Sequence, residues 1–186
     1  MYRLISTGPR SCTALLLAGL ALLGGCAPDR APAPGTFRDT GKQLYSNAVF
    51  EPAQLSGQWQ QVAAFAAPDA GDCRAGGAEF APSAAAVGLT TRLCLNGQAQ
   101  TFSGTMAPLG PGRFALRGAD PAGIGQPWWV IWVDTNYRTL VIGTPSGDFG
   151  FILNRGGPLP ADRMAAARDI LAWNGYDLSR LRVLAP

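Results

Sequence analysis

The chain contains no histidine, and Lys42 is the one lysine among its fifteen basic residues. Without histidine there is no Ser-His-Asp triad, no Cys-His pair and no imidazole to ligate a metal. The fourteen arginines are scattered, so the basic face that nucleic-acid binding requires is missing. None of the four cysteines stands in a C-x-x-C pair. No apolar run reaches the roughly 20 residues that span a bilayer as a helix. Gly35–Gln43 has a P-loop outline but five residues between its glycines, and glutamine where Ser/Thr should follow. Gly143–Gly147 misplaces its serine for a nucleophile elbow. Asp134 and Asp148 read as turn formers rather than an acid–base pair. The sequence therefore points away from catalysis and calls for no cofactor and no metal.

The N-terminus is separate from the rest. Arg3 and Arg10 precede an apolar run, Ala14 to Leu23, and then Leu23-Gly24-Gly25-Cys26. A charged lead, an apolar centre and a small-residue site form a secretory signal. With cysteine directly after the site, the segment resembles a bacterial lipoprotein signal. That resemblance implies cleavage after Gly25 and lipid on Cys26. Residues 26–46 then form a lipidated, Pro/Ala-rich tether and lead-in, and 47–186 the folded domain. Membrane attachment would come through lipid, where two or more acyl chains hold stably and one does not.

With Cys12 in the signal and Cys26 lipidated, Cys73 and Cys94 remain. In an exported chain two cysteines favour one disulfide, with a pair of free buried thiols as the alternative. A hairpin centred between Ser83 and Ala84 places positions 73 and 94 directly opposite each other, within bridging range. Short apolar segments recur across the domain with turn signals between them, and Asn96-Gly97 is the clearest. They amount to eight strands with hairpin-length connections, an all-β, antiparallel up-and-down barrel that leaves no edge exposed. One helix, about 159–174, follows Pro160 and stops at Gly175. Met164, Ala167, Ile170 and Leu171 make its apolar stripe, suited to packing outside the barrel.

Three motifs in order carry a family resemblance: Gly57-x-Trp59 in the first strand, "VDTNY" (Val133 to Tyr137) between the sixth and seventh, and Arg155 closing the last. Behind them the tail "ILNRGGPLPADRMAAARDILAWNGYDLSRL" runs strand, helix, G-[FY]-D. The chain resembles a lipocalin, most closely the bacterial outer-membrane lipoprotein branch, over roughly Gln54 to Val183. Asn136 departs from the family's T-D-Y. The stretch Ala70 to Gly125, where ligand specificity would lie, matches poorly.

The resemblance implies that Trp59 points into the barrel and that Arg155 lies over it by a cation–π contact at the closed end. Strict alternation from there sends Phe65, Trp128, Val130, Trp132, Val141, Phe149, Phe151 and Leu153 inward, towards a ligand. It sends Trp129, Ile131, Leu140, Ile142 and Ile152 outward beneath the helix. The tryptophan-rich strand "WWVIW" (Trp128 to Trp132) is apolar on both faces because a cavity lies on one side and a helix on the other. An eight-stranded barrel is either filled by side chains or holds one small ligand. Ala63, Gly143 and the early-strand alanines favour a cavity, and a filled-barrel envelope scaffold is the alternative. The expected partner is a hydrophobic or amphipathic small molecule, of fatty acid or lysophospholipid type, with storage, scavenging or transfer as the work.

Overall fold

The computed structural model of the protein describes residues 35–120 and 123–186; the signal segment, Cys26 and most of the tether lie outside the described residues. Eight strands follow one another: β1 (Gly57–Phe65), β2 (Gly77–Pro82), β3 (Val87–Leu95), β4 (Gln98–Gly110), β5 (Arg113–Ala119), β6 (Trp128–Val133), β7 (Thr139–Gly143) and β8 (Gly150–Asn154). Each pairs antiparallel with the next, and β1 pairs with both β8 and β2, so the sheet closes on itself. Helix α1 (Ala161–Trp173) packs outside against β6 and β7. A short β9 (Leu181–Val183) returns to β1.

Local chemistry sets these elements. Asn96 and Gly97 both take positive φ, 48° and 72°, which a two-residue hairpin turn requires. Gly175, at φ 86°, ends α1, and the Tyr176 N–H turns back to the Leu171 carbonyl. Ala167 and Leu171 are buried, with Met164 and Ile170 partly buried beside them, as the helical stripe predicts.

The apolar residues divide into two layers. One fills the barrel; the other lies between its outer wall, α1 and the lead-in segment. That lead-in is part of the fold: Phe37 and Leu44 are buried, and Arg38 bridges to Tyr176. The folded body thus begins before residue 47. Connections β1–β2, β3–β4, β5–β6 and β7–β8 share one end, called here the mouth. The other end is closed by the 3₁₀ turn Pro52–Leu55. No helix among the described residues is long and apolar enough to cross a membrane.

Two irregularities overturn part of the expected alternation. The β1–β8 register slips between Gln61 and Ala63, so Ala64 faces inward and Phe65 outward. The β6–β7 register slips between Val130 and Trp132, so Ile131 and Trp132 both face outward. A bulge of one residue reverses every side chain beyond it. Val141 also lies outside, with Leu140 and Ile142 inside. Leu140 pairs with Leu153 and Ile142 with Phe151, and residues opposite each other share a face.

Candidate functional site

Of the residues expected to line a ligand cavity, Trp128, Val130, Phe149 and Phe151 are inside the barrel. Phe65, Trp132 and Val141 are in the outer layer. Beneath the mouth, the Trp128 ring meets Phe151 and Phe149 edge-on at 5.1 and 6.4 Å between centroids, and Phe149 stacks on Phe151 at 6.2 Å. Aromatic pairs favour such offset and edge-to-face geometry. The indole N–H of Trp128 donates to the Ile124 carbonyl at 3.0 Å, which leaves no bare donor in this apolar setting. The Asp120 carboxylate in turn accepts the Ile124 and Gly125 amides at 2.8 and 2.6 Å. Sequence reading passed over Ile124. Its signal was Asp120, eight residues before the tryptophan strand, a residue type whose side chain accepts nearby backbone amides.

Apolar and aromatic side chains dominate the interior, the most exposed of the buried ones, Tyr137, being only 7% accessible, and buried Thr91 faces inward among them. At the closed end the Arg155 guanidinium sits 4.3 Å from the Trp59 ring centroid. It also donates to the carbonyls of Tyr137, Ser56 and Gln54 at 2.7, 2.8 and 2.9 Å. Burial pulls its pKa below the ordinary arginine value and nearby Asp134 partly opposes this. Trp59 itself donates to Leu55 at 2.8 Å, and Gly57 enters the strand at φ 100°. Asp134 of "VDTNY" caps the β6–β7 turn through the Arg138 amide at 2.7 Å, and the Tyr137 hydroxyl accepts the Glu51 amide at 2.8 Å.

Cys73 and Cys94 are joined, with Cα atoms 5.7 Å apart. The bridge is not the cross-strand pair expected. β2 begins only at Gly77 and pairs Phe80 with Leu89, a register two units away from the one read off the sequence. Cys73 therefore belongs to the β1–β2 loop. Cys94 lies between the inward Leu93 and Leu95, so the disulfide ties that loop to the outer face of β3. Close backbone approach explains the late start of β2: a Cβ at Gly76 or Gly77 would lie 1.7 or 2.6 Å from a facing carbonyl. Where β2 is absent, buried Gln61 bridges β1 to β3. Its amide group donates to the Cys94 carbonyl at 2.9 Å and accepts the Cys94 N–H at 2.7 Å.

On the outer side, Gly143 and Gly150 pair directly, and Tyr176 covers them. A Cβ on either glycine would fall 2.8–2.9 Å from the tyrosine ring or hydroxyl. That hydroxyl accepts the Thr144 amide at 2.9 Å and donates to the Phe149 carbonyl at 3.0 Å. Burial pushes its pKa up to about 12. Phe65 stacks on the same ring at 4.9 Å. The place of Tyr176 in the G-[FY]-D tail was legible in the sequence; its role as a cover for a glycine pair was not.

The wall opposite the helix carries an open groove of about 520 Å³. Its side chains, among them Gln58, Glu79, Thr90, Arg92, Thr101 and Ser103, are exposed, while the residues between them (Trp59, Ala78, Thr91 and Phe102) are buried. The groove is thus on the outside of the barrel. Among the described residues no cluster of histidine, cysteine and carboxylate could hold a metal ion.

A closed eight-stranded antiparallel barrel with a helix docked outside, and an arginine over the first-strand tryptophan, defines the lipocalin class of fold. A family model for the lipocalin-like domain matches residues 51–186, and the chain belongs to that family. Solved structures agree on the fold. Lobster apocrustacyanin A1 superposes with a TM-score of 0.55 at 12% identity, over 83% of this chain and 93% of that one. Apocrustacyanin C2 gives 0.55 at 14%, over 82% and 89%, and apocrustacyanin C1 gives 0.52 at 14%, over 71% and 77%. No curated protein matches the chain.

Proposed function

We propose that the protein is a lipid-anchored lipocalin of the bacterial outer-membrane kind, which holds one apolar or amphipathic chain, such as a fatty acid or lysophospholipid, for storage, scavenging or transfer in the cell envelope. The observation that carries this reading is the largely apolar interior: aliphatic side chains and an aromatic trio beneath the mouth, with the inward Thr91 hydroxyl already donating to the Gly77 carbonyl at 2.8 Å. Such a surface recognises a hydrocarbon by burial and offers few groups to a polar substrate. The N-terminal pattern supports the anchor. Nine positions separate Cys26 from Gly35, and the Phe37 amide donates to Gly147 in the β7–β8 turn, so the chain enters the fold at its mouth end. At ~3.1 Å per residue, such a tether reaches roughly 30 Å.

A specific observation favours a second reading, a filled barrel acting as an envelope scaffold: the interior side chains are themselves closely packed. Ligand entry then requires the packed mouth to open. Native mass spectrometry of the protein purified from its own membranes, with extraction of bound lipid, separates the two. One alkyl chain per protein supports the binding reading, and a protein that stays free of lipid after incubation with fatty acid supports the scaffold.

A further inference from the structure

Beyond Gln60, β1 loses β2 as a neighbour, and another segment takes its place. β9 pairs Val183 with Ala63, Arg182 with Ala64 and Leu181 with Phe65. The Leu184 amide then donates to Val62 at 3.0 Å, and on the far side the Ala75 amide donates to Ala185 at 2.9 Å. At this height the wall between β1 and β3 is a short strap, completed by the disulfide-tied loop. Leu184 packs against the interior cluster. On its outer side the strap borders a hollow of about 400 Å³ lined by Asp72, Cys73, Arg74, Arg182, Val183, Leu184 and Ala185.

The two arginines of this hollow differ. Arg182 is committed: its guanidinium donates to the carbonyls of Ala67, Pro68 and Ala70 at 2.6, 3.0 and 3.2 Å and lies 3.5 Å from the fully exposed Asp72 carboxylate. Arg74 is exposed and makes no hydrogen bond or ion pair with the described residues. Val183 beside it is 71% exposed. An exposed cation and, beside it, a strip of aliphatic surface that leads to Leu184 together match a molecule with a charged head and an alkyl tail.

We propose that this hollow is the head-group site for an anionic single-chain amphiphile, whose carboxylate or phosphate oxygens pair with Arg74 and whose tail lies along Val183 to Ala185 towards the barrel interior. The inference rests on the ligand-binding reading above and adds to it a polar contact point and a side approach between β1 and β3. Charge-assisted contacts of guanidinium to carboxylate or phosphate are among the strong hydrogen bonds.

The test is calorimetric titration of the purified protein with dodecanoate, dodecan-1-ol and inorganic phosphate, together with sedimentation against phosphatidylglycerol vesicles. Dodecanoate should bind more tightly than dodecan-1-ol. Arg74→Ala should weaken dodecanoate on the order of tenfold, leave dodecan-1-ol unchanged, and be rescued by Arg74→Lys. Arg74 has no partner to lose among the described residues, so these variants keep the fold. Equal dodecanoate affinity in Arg74→Ala, with both alkyl compounds still bound, overturns the head-group site while the function stands. Tight binding of inorganic phosphate alone, or Arg74-dependent vesicle binding without dodecanoate binding, assigns the hollow to a free anion or a bilayer surface and also overturns it. Failure of every alkyl compound to bind removes the ligand-binding reading itself.

Discussion

Strands β6 to β8 and strands β2 to β5 belong to one closed sheet, yet they bury different amounts of it. β7 and β8 are buried at every position, inside and out, and β6 has three buried and three half-buried positions and none exposed. β2 and β3 alternate over most of their length, with Phe80, Leu89 and Leu93 inside and Glu79, Thr90 and Arg92 in solvent. The β6–β8 wall lies under α1, Phe37, Leu44 and Tyr176; the β2–β5 wall carries the open groove and, at the end of β3, the disulfide-tied loop. A covered wall needs apolar residues on both faces, and a bare wall needs them on one.

The difference decides which substitutions should hurt. Trp128→Ala removes a fully buried ring that touches two phenylalanines, and should cost about 3–5 kcal/mol in denaturant unfolding. Loss of the Cys73–Cys94 bridge, whose ends are 21 positions apart in sequence, should cost roughly 3 kcal/mol on the chain-entropy account. Cys73→Ser with Cys94→Ser, compared with the parent in urea, reads this out.

Tyr176 gives the covered wall an alkaline limit. Its hydroxyl ionises near pH 10 when unfolded and near 12 when folded, so its contribution is complete below pH 10 and disappears as pH rises towards 12. The two-unit shift corresponds to about 2–3 kcal/mol. A Tyr176→Phe variant should start about 1–2 kcal/mol less stable, from its two lost hydrogen bonds. It should then lose less stability between pH 10 and 12. An unchanged alkaline slope would remove the buried hydroxyl from the account. At the small end, Thr90→Ala on the bare wall should change stability by no more than ~0.5 kcal/mol. A larger loss would mean that the groove wall is covered in the working protein.

The same contrast explains what could be read in advance. In β2 to β5 polar residues mark the outward side, so Phe80, Leu89 and Phe102 identify the interior from sequence alone. In "WWVIWV" every residue is apolar, and a bulge at Ile131 leaves no mark in the pattern; Trp132 was placed inside for that reason. In β1 the slip falls between polar Gln61 and Ala63, where alternation counted on from Trp59 put Phe65 on the wrong face. Motifs fared better than periodicity. Trp59 under Arg155 and the helix stop at Gly175 depend on residue chemistry at single positions, which a shift elsewhere does not disturb. The cysteine pairing was legible from export and number, while its geometry depended on where Gly76 and Gly77 allow β2 to begin.

The central claim, that hydrocarbon is held inside the barrel beneath the mouth, is tested most directly by quenching tryptophan fluorescence with a brominated dodecanoate. The account predicts saturable quenching with one ligand per protein, largely lost in Trp128→Phe and retained in Trp132→Phe, because the first indole faces the interior and the second the helix. Quenching that never saturates, or that disappears with Trp132 and persists without Trp128, would contradict it.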